Sequence, residues 1–142
     1  IYLVDTENKA IGLIHSGWRG TIQKIVEKTL LKMKEVYSTD PANCVAAIGP
    51  SLEKDCFEVD YDVAEQFVSI FGKDNGTIDY KENGKYHIDL WKINADMLIH
   101  LGVKEENITV CELCTKCNEE LFFSYRRDKG KTGSLSAILE LK

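Results

Sequence analysis

The feature that most constrains this chain is the heptapeptide at residues 15–21, His-Ser-Gly-Trp-Arg-Gly-Thr. The four residues before it, 11–14, are mostly apolar and are typical of a strand, whereas from Ile22 onward apolar residues recur at the spacing of an amphipathic helix. Gly17 and Gly20 permit positive φ angles and close backbone approach, and Thr21 is a suitable helix N-cap. We therefore predict a strand, a tight turn and a helix whose N-terminus faces an open site.

Two side chains of this turn are candidates for chemistry. An imidazole at the end of a strand, His15, can act as a metal ligand or as an acid or base. The guanidinium of Arg19 is a fixed cation whose forked donors suit phosphate or carboxylate. The alternative is a surface turn in which Trp18 packs on the core and His15 has no function. Short motifs mislead often, so the spacing alone leaves both interpretations open.

Composition narrows the class of protein. The length of 142 residues and a hydrophobic content of 44% suit one globular domain. A net charge of −5 argues against a nucleic-acid-binding surface, and no apolar run is long enough to predict a membrane span. The five cysteines, an odd number, favour a reducing compartment, and we predict the cytoplasm. The sequence starts at Ile1 inside a strand pattern, so we expect the chain to be truncated at its N-terminus.

Periodicity and turn signals predict strands and helices in mixed order. A hairpin is predicted over 1–5 and 10–15, and a second over 77–80 and 86–89, where Asn83-Gly84 is a strong turn signal. Helical spacing and caps indicate helices over about 22–37, 61–71 and 90–101, and short apolar runs indicate strands at 44–48, 108–111 and 135–141. The residues 56–59 are a further extended segment. This pattern predicts an α/β fold class, with mixed α+β layers.

Three cysteines share one loop as Cys111-x-x-Cys114-x-x-Cys117. A closed zinc site needs four ligands, and the fourth could come from Cys44, Cys56 or a histidine. The second paired spacing that usually accompanies such a site is missing, which favours reduced free thiols.

A basic segment at 124–133 is the second candidate site. It carries four cations and two glycines in an acidic protein, which is typical of an anion or phosphate cradle. Arg126 and Arg127 are its candidate anion-binding residues. The alternative is a solvated loop in which Asp128 neutralises an arginine.

Taken together, three groups of residues resemble one family. Residues 15–21 resemble its His-x-Gly-Trp-Arg-Gly motif, and Ile-Gly-Pro-Ser at 48–51 with Phe-Glu-Val at 57–59 resembles its second segment. Cys-Thr at 114–115, Phe-Phe-Ser-Tyr-Arg-Arg-Asp at 122–128 and Thr-Gly at 132–133 resemble its C-terminal signature. This is the YfiH/PgeF family, also called the laccase-domain or multicopper polyphenol oxidase family. The resemblance implies a cytosolic, single-domain YfiH-like laccase domain over 1–142, lacking its N-terminal part and similar in fold to cysteine-hydrolase toxin deamidases.

The resemblance also implies an activity. The family has been described as zinc-dependent purine nucleoside phosphorylases, which act on adenosine, inosine, guanosine and methylthioadenosine and also deaminate adenosine. It has been described alternatively as copper oxidases and as peptidoglycan-editing factors. The implied partners are a purine nucleoside and phosphate, with no nucleic acid and no membrane, and either a second copy or the missing upstream segment would cover the open hairpin.

The family's metal ligands are His, Cys and His, and the resemblance places the third on His15. The other two would lie upstream of Ile1, so the implied cofactor is zinc, with copper as the alternative, and the truncated chain alone is expected to be inactive. Phosphate binding falls on Arg19, Arg126 and Arg127. The family usually continues Thr-Gly-Arg, whereas Ser134 follows Gly133 here.

Overall fold

The computed structural model describes residues 1–73 and 75–142. In these residues the strands are β1 Tyr2–Asp5, β2 Ala10–Leu13, β3 Cys44–Ile48, β4 Glu58–Val59, β5 Ile78–Tyr80, β6 Tyr86–Ile88 and β7 Ile108–Val110. The helices are α1 Trp18–Ile22, α2 Ile25–Tyr37, α3 Tyr61–Phe71 and α4 Leu90–His100. The chain forms two compact units. Unit 1 comprises 1–49, 91–111 and 138–142, and unit 2 comprises 50–90 and 112–137.

The sheet of unit 1 has the strand order β2-β1-β3-β7. Strand β1 is antiparallel to both β2 and β3, whereas β3 and β7 are parallel. The first predicted hairpin is therefore confirmed. Its turn is fixed by the buried carboxylate of Asp5, which accepts hydrogen bonds from the backbone N–H groups of Glu7 and Asn8 at 3.1 and 3.0 Å. Such a side-chain turn orients the chain for the return strand.

The helix predicted from Ile22 is in fact two helices. Gly17, in an extended conformation, is the N-cap of α1, and its carbonyl accepts the backbone N–H of Thr21 at 2.8 Å. Thr21 is thus inside α1, and its prediction as an N-cap was wrong. Lys24 has a left-handed backbone with φ 53°, which interrupts the helix before α2 starts at Ile25. The prediction missed this break because lysine carries no local signal for left-handed backbone.

Helix α2 buries Val26, Leu30 and Met33 in the core of unit 1. It passes close to β2, because a Cβ built at Gly12 would lie 2.9 Å from the Met33 sulfur. Helix α4 adds a buried apolar face that includes Leu98, which is fully buried. The predicted third helix is confirmed.

Unit 2 contains a small sheet of order β4-β6-β5, in which both pairs are antiparallel. The second predicted hairpin is β5–β6, and Gly84 in its turn has a φ of 79°. Helix α3 has the predicted bounds, and it places Phe67 in the core with no exposed surface. The Phe71 ring lies 6.0 Å from the Phe67 ring, centroid to centroid. The structure thus confirms a mixed α/β fold.

The predicted closing strand at 135–141 is wrong. The described part of the chain contains no strand there, and no residue pairs with this segment in a sheet. Its apolar side chains Leu135, Ile138 and Leu141 are 49%, 84% and 46% exposed. An apolar alternation becomes a strand only when a neighbouring backbone accepts its hydrogen bonds, and the pattern alone cannot supply that neighbour.

The helices of the described residues are all too short or too polar to cross a membrane.

Candidate functional site

His15 lies two residues beyond β2, with its imidazole exposed to solvent. The backbone around it is tightly packed. A Cβ at Gly17 would lie 3.1 Å from Nε2 of His15, and a Cβ at Gly20 would lie 3.1 Å from its carbonyl oxygen. The two glycines therefore serve close approach. The positive φ that their presence suggested is not used, because Gly17 has a φ of −67° and Gly20 lies in α1.

A buried hydrogen-bond network holds this turn in place. The hydroxyl of Ser16 donates to Oδ1 of Asn94 at 2.7 Å and lies 3.1 Å from the Thr21 hydroxyl. Nδ2 of Asn94 donates to the Thr21 hydroxyl at 3.3 Å. Thr21 is fully buried and Asn94 is 3% exposed, so the Asn94–Thr21 bond is shielded from water, and the two bonds of the Ser16 hydroxyl are partly shielded. The network ties the residue after His15 to both α1 and α4, and a satisfied buried network of this kind restricts the turn to one conformation.

Arg19 extends from the first turn of α1, and its guanidinium carbon lies 4.2 Å from the centroid of the Trp18 ring. The side chain is exposed, and its guanidinium lies over the Trp18 ring. A stacked guanidinium keeps its forked donors available for an anion. Trp18 is half-buried, so the turn combines the packing role of the tryptophan with an accessible cation.

The two arginines of the second candidate site differ in their contacts. Arg127 donates from Nε to Asp128 at 2.8 Å and from its terminal nitrogens to Asp128 and to the carbonyls of Thr115 and Phe122. Most of its donors are thereby used within unit 2. The Arg127 guanidinium, together with the Thr132 hydroxyl, holds the pKa of the Asp128 carboxyl below its usual value.

Arg126 is more exposed. It donates from one terminal nitrogen to the Glu58 carbonyl at 2.7 Å, and its guanidinium carbon lies 5.4 Å from the Phe57 ring centroid. It retains donors that can reach an anion. His15 and Arg19 belong to unit 1, whereas Arg126 and Arg127 belong to unit 2.

The structure also brings together four groups in unit 2, which we call the thiol cluster: Glu53, Cys56, Cys114 and Cys117. Their ligand atoms all lie within 4.8 Å of one another. The Cys56 and Cys117 sulfurs are 3.4 Å apart, and Oε1 of Glu53 lies 3.4 and 3.1 Å from them. Hydrogen bonds from Cys117 and Cys56 lower the pKa of Glu53, and the same carboxylate raises the pKa of Cys117.

The remaining cysteines lie outside the thiol cluster. Cys111 is exposed, and Cys44 is fully buried in unit 1. Burial, with the charges of Asp5 and Asp40, raises the pKa of Cys44 to about 11. Among the described residues, neither thiol belongs to a group of side chains that could hold a metal ion.

Among the described residues, the thiol cluster is the group of three or more His, Cys, Asp or Glu side chains with metal-binding geometry, and His15 is not part of it. A lone imidazole is a poor zinc site, since catalytic zinc is held by three protein ligands. The residues described here therefore do not by themselves form the zinc site that the family resemblance implies.

Sequence reasoning missed Glu53 and Asn94. For Glu53 a signal existed, because Glu53-x-x-Cys56 has the same spacing as Cys114-x-x-Cys117 and supplies the second pair that seemed to be missing. For Asn94 there was none, because a polar residue in an apolar helix can belong to any buried contact.

Comparison with known proteins gives one consistent result. The model of the family described as multi-copper polyphenol oxidoreductase laccase matches residues 1–142. A purine nucleoside phosphorylase of Bacteroides thetaiotaomicron is 38% identical over 98% of this chain and 52% of its own length. The purine nucleoside phosphorylase YlmD of Bacillus subtilis is 30% identical over 100% of this chain and 51% of its own length.

Solved structures agree with the sequence comparison. The hypothetical protein YfiH of Bacillus licheniformis superposes with a TM-score of 0.86 at 32% identity, over 93% of this chain and 50% of that one. YlmD of Geobacillus stearothermophilus superposes with a TM-score of 0.86 at 34% identity, over 93% of this chain and 49% of the YlmD chain. The chain spans about half the length of the curated relatives it matches.

Proposed function

Since the chain belongs to the multi-copper polyphenol oxidoreductase laccase family, which includes YfiH and YlmD, we propose that it is part of a purine nucleoside phosphorylase. The proposed substrates are a purine nucleoside, such as inosine, guanosine, adenosine or methylthioadenosine, and inorganic phosphate. Deamination of adenosine is proposed as a second activity. We place the enzyme in the cytoplasm, in keeping with its free cysteines.

One observation carries the proposal: an exposed imidazole and an exposed guanidinium extend from a single turn that a side-chain hydrogen-bond network connects to α1 and α4. His15 and Arg19 are four residues apart on this turn, and the Ser16–Asn94 hydrogen bond of 2.7 Å fixes the backbone between β2 and α1. Catalytic groups on a pre-ordered backbone lose little entropy when substrate binds. A structural turn does not require an imidazole and a guanidinium that both face solvent.

The reaction assigns these groups distinct tasks. In phosphorolysis a phosphate oxygen attacks C1′ of the ribose, the bond from C1′ to the base breaks, and the base leaves with the electron pair and gains a proton. Arg19 supplies a cation for the phosphate, to which guanidinium binds in a forked geometry. The imidazole of His15 can transfer a proton or serve as a metal ligand. Zinc, when bound, would polarise an oxygen of the substrates, and His15 is the described residue that would hold it.

The second pair of arginines is proposed in different roles. Arg126, with donors still available, is the better candidate for contact with an anion. Arg127, which binds Asp128 and two carbonyls, positions the loop on which Arg126 lies.

The test is base release by the full-length protein. Incubation with inosine and phosphate, with zinc supplied, should yield hypoxanthine and ribose 1-phosphate, and adenosine should yield adenine and inosine. The variant His15→Ala should lose activity, whereas His100→Ala, which changes an exposed histidine at the end of α4, should not. Arg19→Lys should raise the KM for phosphate because the forked donors are lost. Absence of base release by the wild-type protein would refute the proposal.

Copper-dependent phenol oxidation is the second candidate, because the matching family is described as a polyphenol oxidoreductase. The sequence has three histidines, and a multicopper cluster requires many more imidazoles. Stoichiometric copper together with oxygen uptake in the full-length protein would reverse the ranking. A peptidoglycan-editing role would instead give binding of cell-wall precursors in calorimetry.

A further inference from the structure

The thiol cluster is the strongest unassigned feature of the molecule. We propose that Glu53, Cys56, Cys114 and Cys117 form a structural Zn²⁺ site in unit 2, distinct from any metal bound through His15. This site does not depend on the proposed activity.

The distances fit a tetrahedral ion. With zinc–sulfur and zinc–oxygen bonds of about 2.3 and 2.1 Å, a tetrahedron has S···S and S···O edges of about 3.8 and 3.6 Å. The Cys56–Cys117 sulfur distance is 3.4 Å, and the carboxylate oxygen of Glu53 lies 3.4 and 3.1 Å from these sulfurs. All pairs fall within 4.8 Å. Movements of a few tenths of an ångström bring the Glu53, Cys56 and Cys117 atoms to these edges, and the Cys114 sulfur lies within 4.8 Å of each of them.

The backbone holds the two halves of the site together. One half is the 3₁₀ turn 54–56, which Glu53 directly precedes, and the other is the turn at 115–117. Ser51 and Cys114 form a parallel β-bridge, in which the Thr115 N–H donates to the Ser51 carbonyl at 3.0 Å. Each half therefore contributes two ligands separated by two residues, which is the ligand spacing of paired zinc knuckles.

The donor set selects the metal. Three thiolates favour zinc strongly over calcium or magnesium, which prefer oxygen ligands. Four protein ligands leave no open position for water or substrate, which indicates a structural and not a catalytic role. Cys114 and Cys56 are buried, at 3% and 9% exposure, while Cys117 is exposed and gives the ion access from solvent.

Zinc here would order the segment that carries the arginines. Thr115 directly follows the ligand Cys114, and its carbonyl accepts a hydrogen bond from Arg127 at 3.2 Å. Binding of the ion therefore fixes one of the groups that hold the 122–128 loop. We expect loss of zinc to increase hydrogen exchange in residues 114–128 without changing exchange in β1 and β2 of unit 1.

The test is a zinc count in full-length protein that carries His15→Ala, so that metal at that position does not contribute. The His15→Ala protein, purified with Zn²⁺ and dialysed, should retain about one zinc per chain. Adding Cys117→Ser or Cys56→Ser should remove it. Adding Cys111→Ser, which changes an exposed thiol outside the cluster, should leave the count unchanged.

A spectroscopic measurement covers the case in which a cysteine variant fails to fold. Folded His15→Ala protein loaded with Co²⁺ should show thiolate-to-cobalt charge-transfer absorption in the near ultraviolet, and Zn²⁺ should displace it. A folded protein without bound zinc and without this absorption would overturn the proposal. So would a mass two hydrogens lower with a Cys56–Cys117 disulfide in freshly isolated protein, because oxidised sulfurs cannot ligate zinc.

Discussion

The hydrogen bond between Ser16 and Asn94 should couple the stabilities of two residues that are 78 positions apart. We expect Ser16→Ala to cost about 1–2 kcal/mol, because it removes the bond to Asn94 and the contact of the Ser16 hydroxyl with the Thr21 hydroxyl at 3.1 Å. Asn94→Leu removes the acceptor of this bond and also the weaker donation to Thr21 at 3.3 Å, so about 2 kcal/mol is expected. The double variant should cost about 1 kcal/mol less than the sum, because the shared bond can be lost only once.

Urea unfolding of the four proteins, compared by midpoint and slope, measures this coupling. A matched control uses Thr29→Val, since the Thr29 hydroxyl donates to the Ile25 carbonyl within α2 at 2.8 Å. Paired with Asn94→Leu it should be additive within about 0.5 kcal/mol. Additivity of the Ser16 pair within about 0.3 kcal/mol would show that the network does not hold the His15 turn.

The single Asn94→Leu change should also lower catalytic activity while leaving the side chains of His15 and Arg19 intact. The reason is that the turn would sample other conformations, and a displacement of about 1 Å at a catalytic group can cost about 100-fold in rate. Steady-state assays of base release measure this effect. An unchanged kcat in a protein of reduced stability would show that the network stabilises the fold without positioning the catalytic groups.

Three further results are expected. Phe67→Ala should cost about 3–5 kcal/mol of unfolding free energy in a urea titration, because it empties a fully buried site, whereas the matched change Ile70→Ala on the exposed side of α3 should cost less than about 1 kcal/mol. Asp5→Asn should make the unfolding free energy less sensitive to acid. Hydrogen bonds from Asn8 and Glu7 outweigh burial and lower the pKa of Asp5 in the folded protein. The stability that this carboxylate contributes is therefore present above the ordinary pKa of 3.8 and is lost as the pH falls through the folded pKa. Urea midpoints between pH 6 and 3 should therefore fall less in this variant than in wild type, and parallel curves would contradict the assignment. Arg127→Lys should lower the thermal midpoint more than Arg126→Lys, since lysine cannot reproduce the fork to Asp128, and equal shifts would count against a positioning role for Arg127.

The parts of the fold that local signals specify could be predicted from the sequence. The hairpin with Asn83-Gly84 and the helix from Tyr61 to Phe71 carry their own turn residue, apolar period and glycine stop. The break at Lys24 could not be predicted, because lysine carries no local signal for the left-handed backbone that it adopts there. The segment 135–141 has a strand pattern but no partner within the described residues, and sequence alone does not reveal strand pairing.

Some residues of the candidate site could likewise be predicted from the sequence, whereas others are brought together only by the fold. His15 and Arg19 lie in one short motif, so their proximity follows from sequence. The Ser16–Asn94 contact and the meeting of Cys56 with Cys117 join positions 78 and 61 residues apart, and only the fold determines such pairs. Cysteine spacing alone does not reveal the thiol cluster, because the carboxylate of Glu53 takes the place of a cysteine in one of its two pairs.

The connectivity of the two units also affects how the chain can fold. Strand β3 is parallel to β7, which follows it by about sixty residues, and the segment 50–90 of unit 2 lies between them in the sequence. A chain emerging from the ribosome can form the β1–β2 hairpin at once, but it can add β7 only after residue 110 has been made. Closing so long a loop is entropically costly and slows folding. Neither unit is a continuous stretch of sequence, so expression of residues 50–90 alone would produce half of the thiol cluster, and expression of residues 1–49 would leave one edge of β3 without its partner.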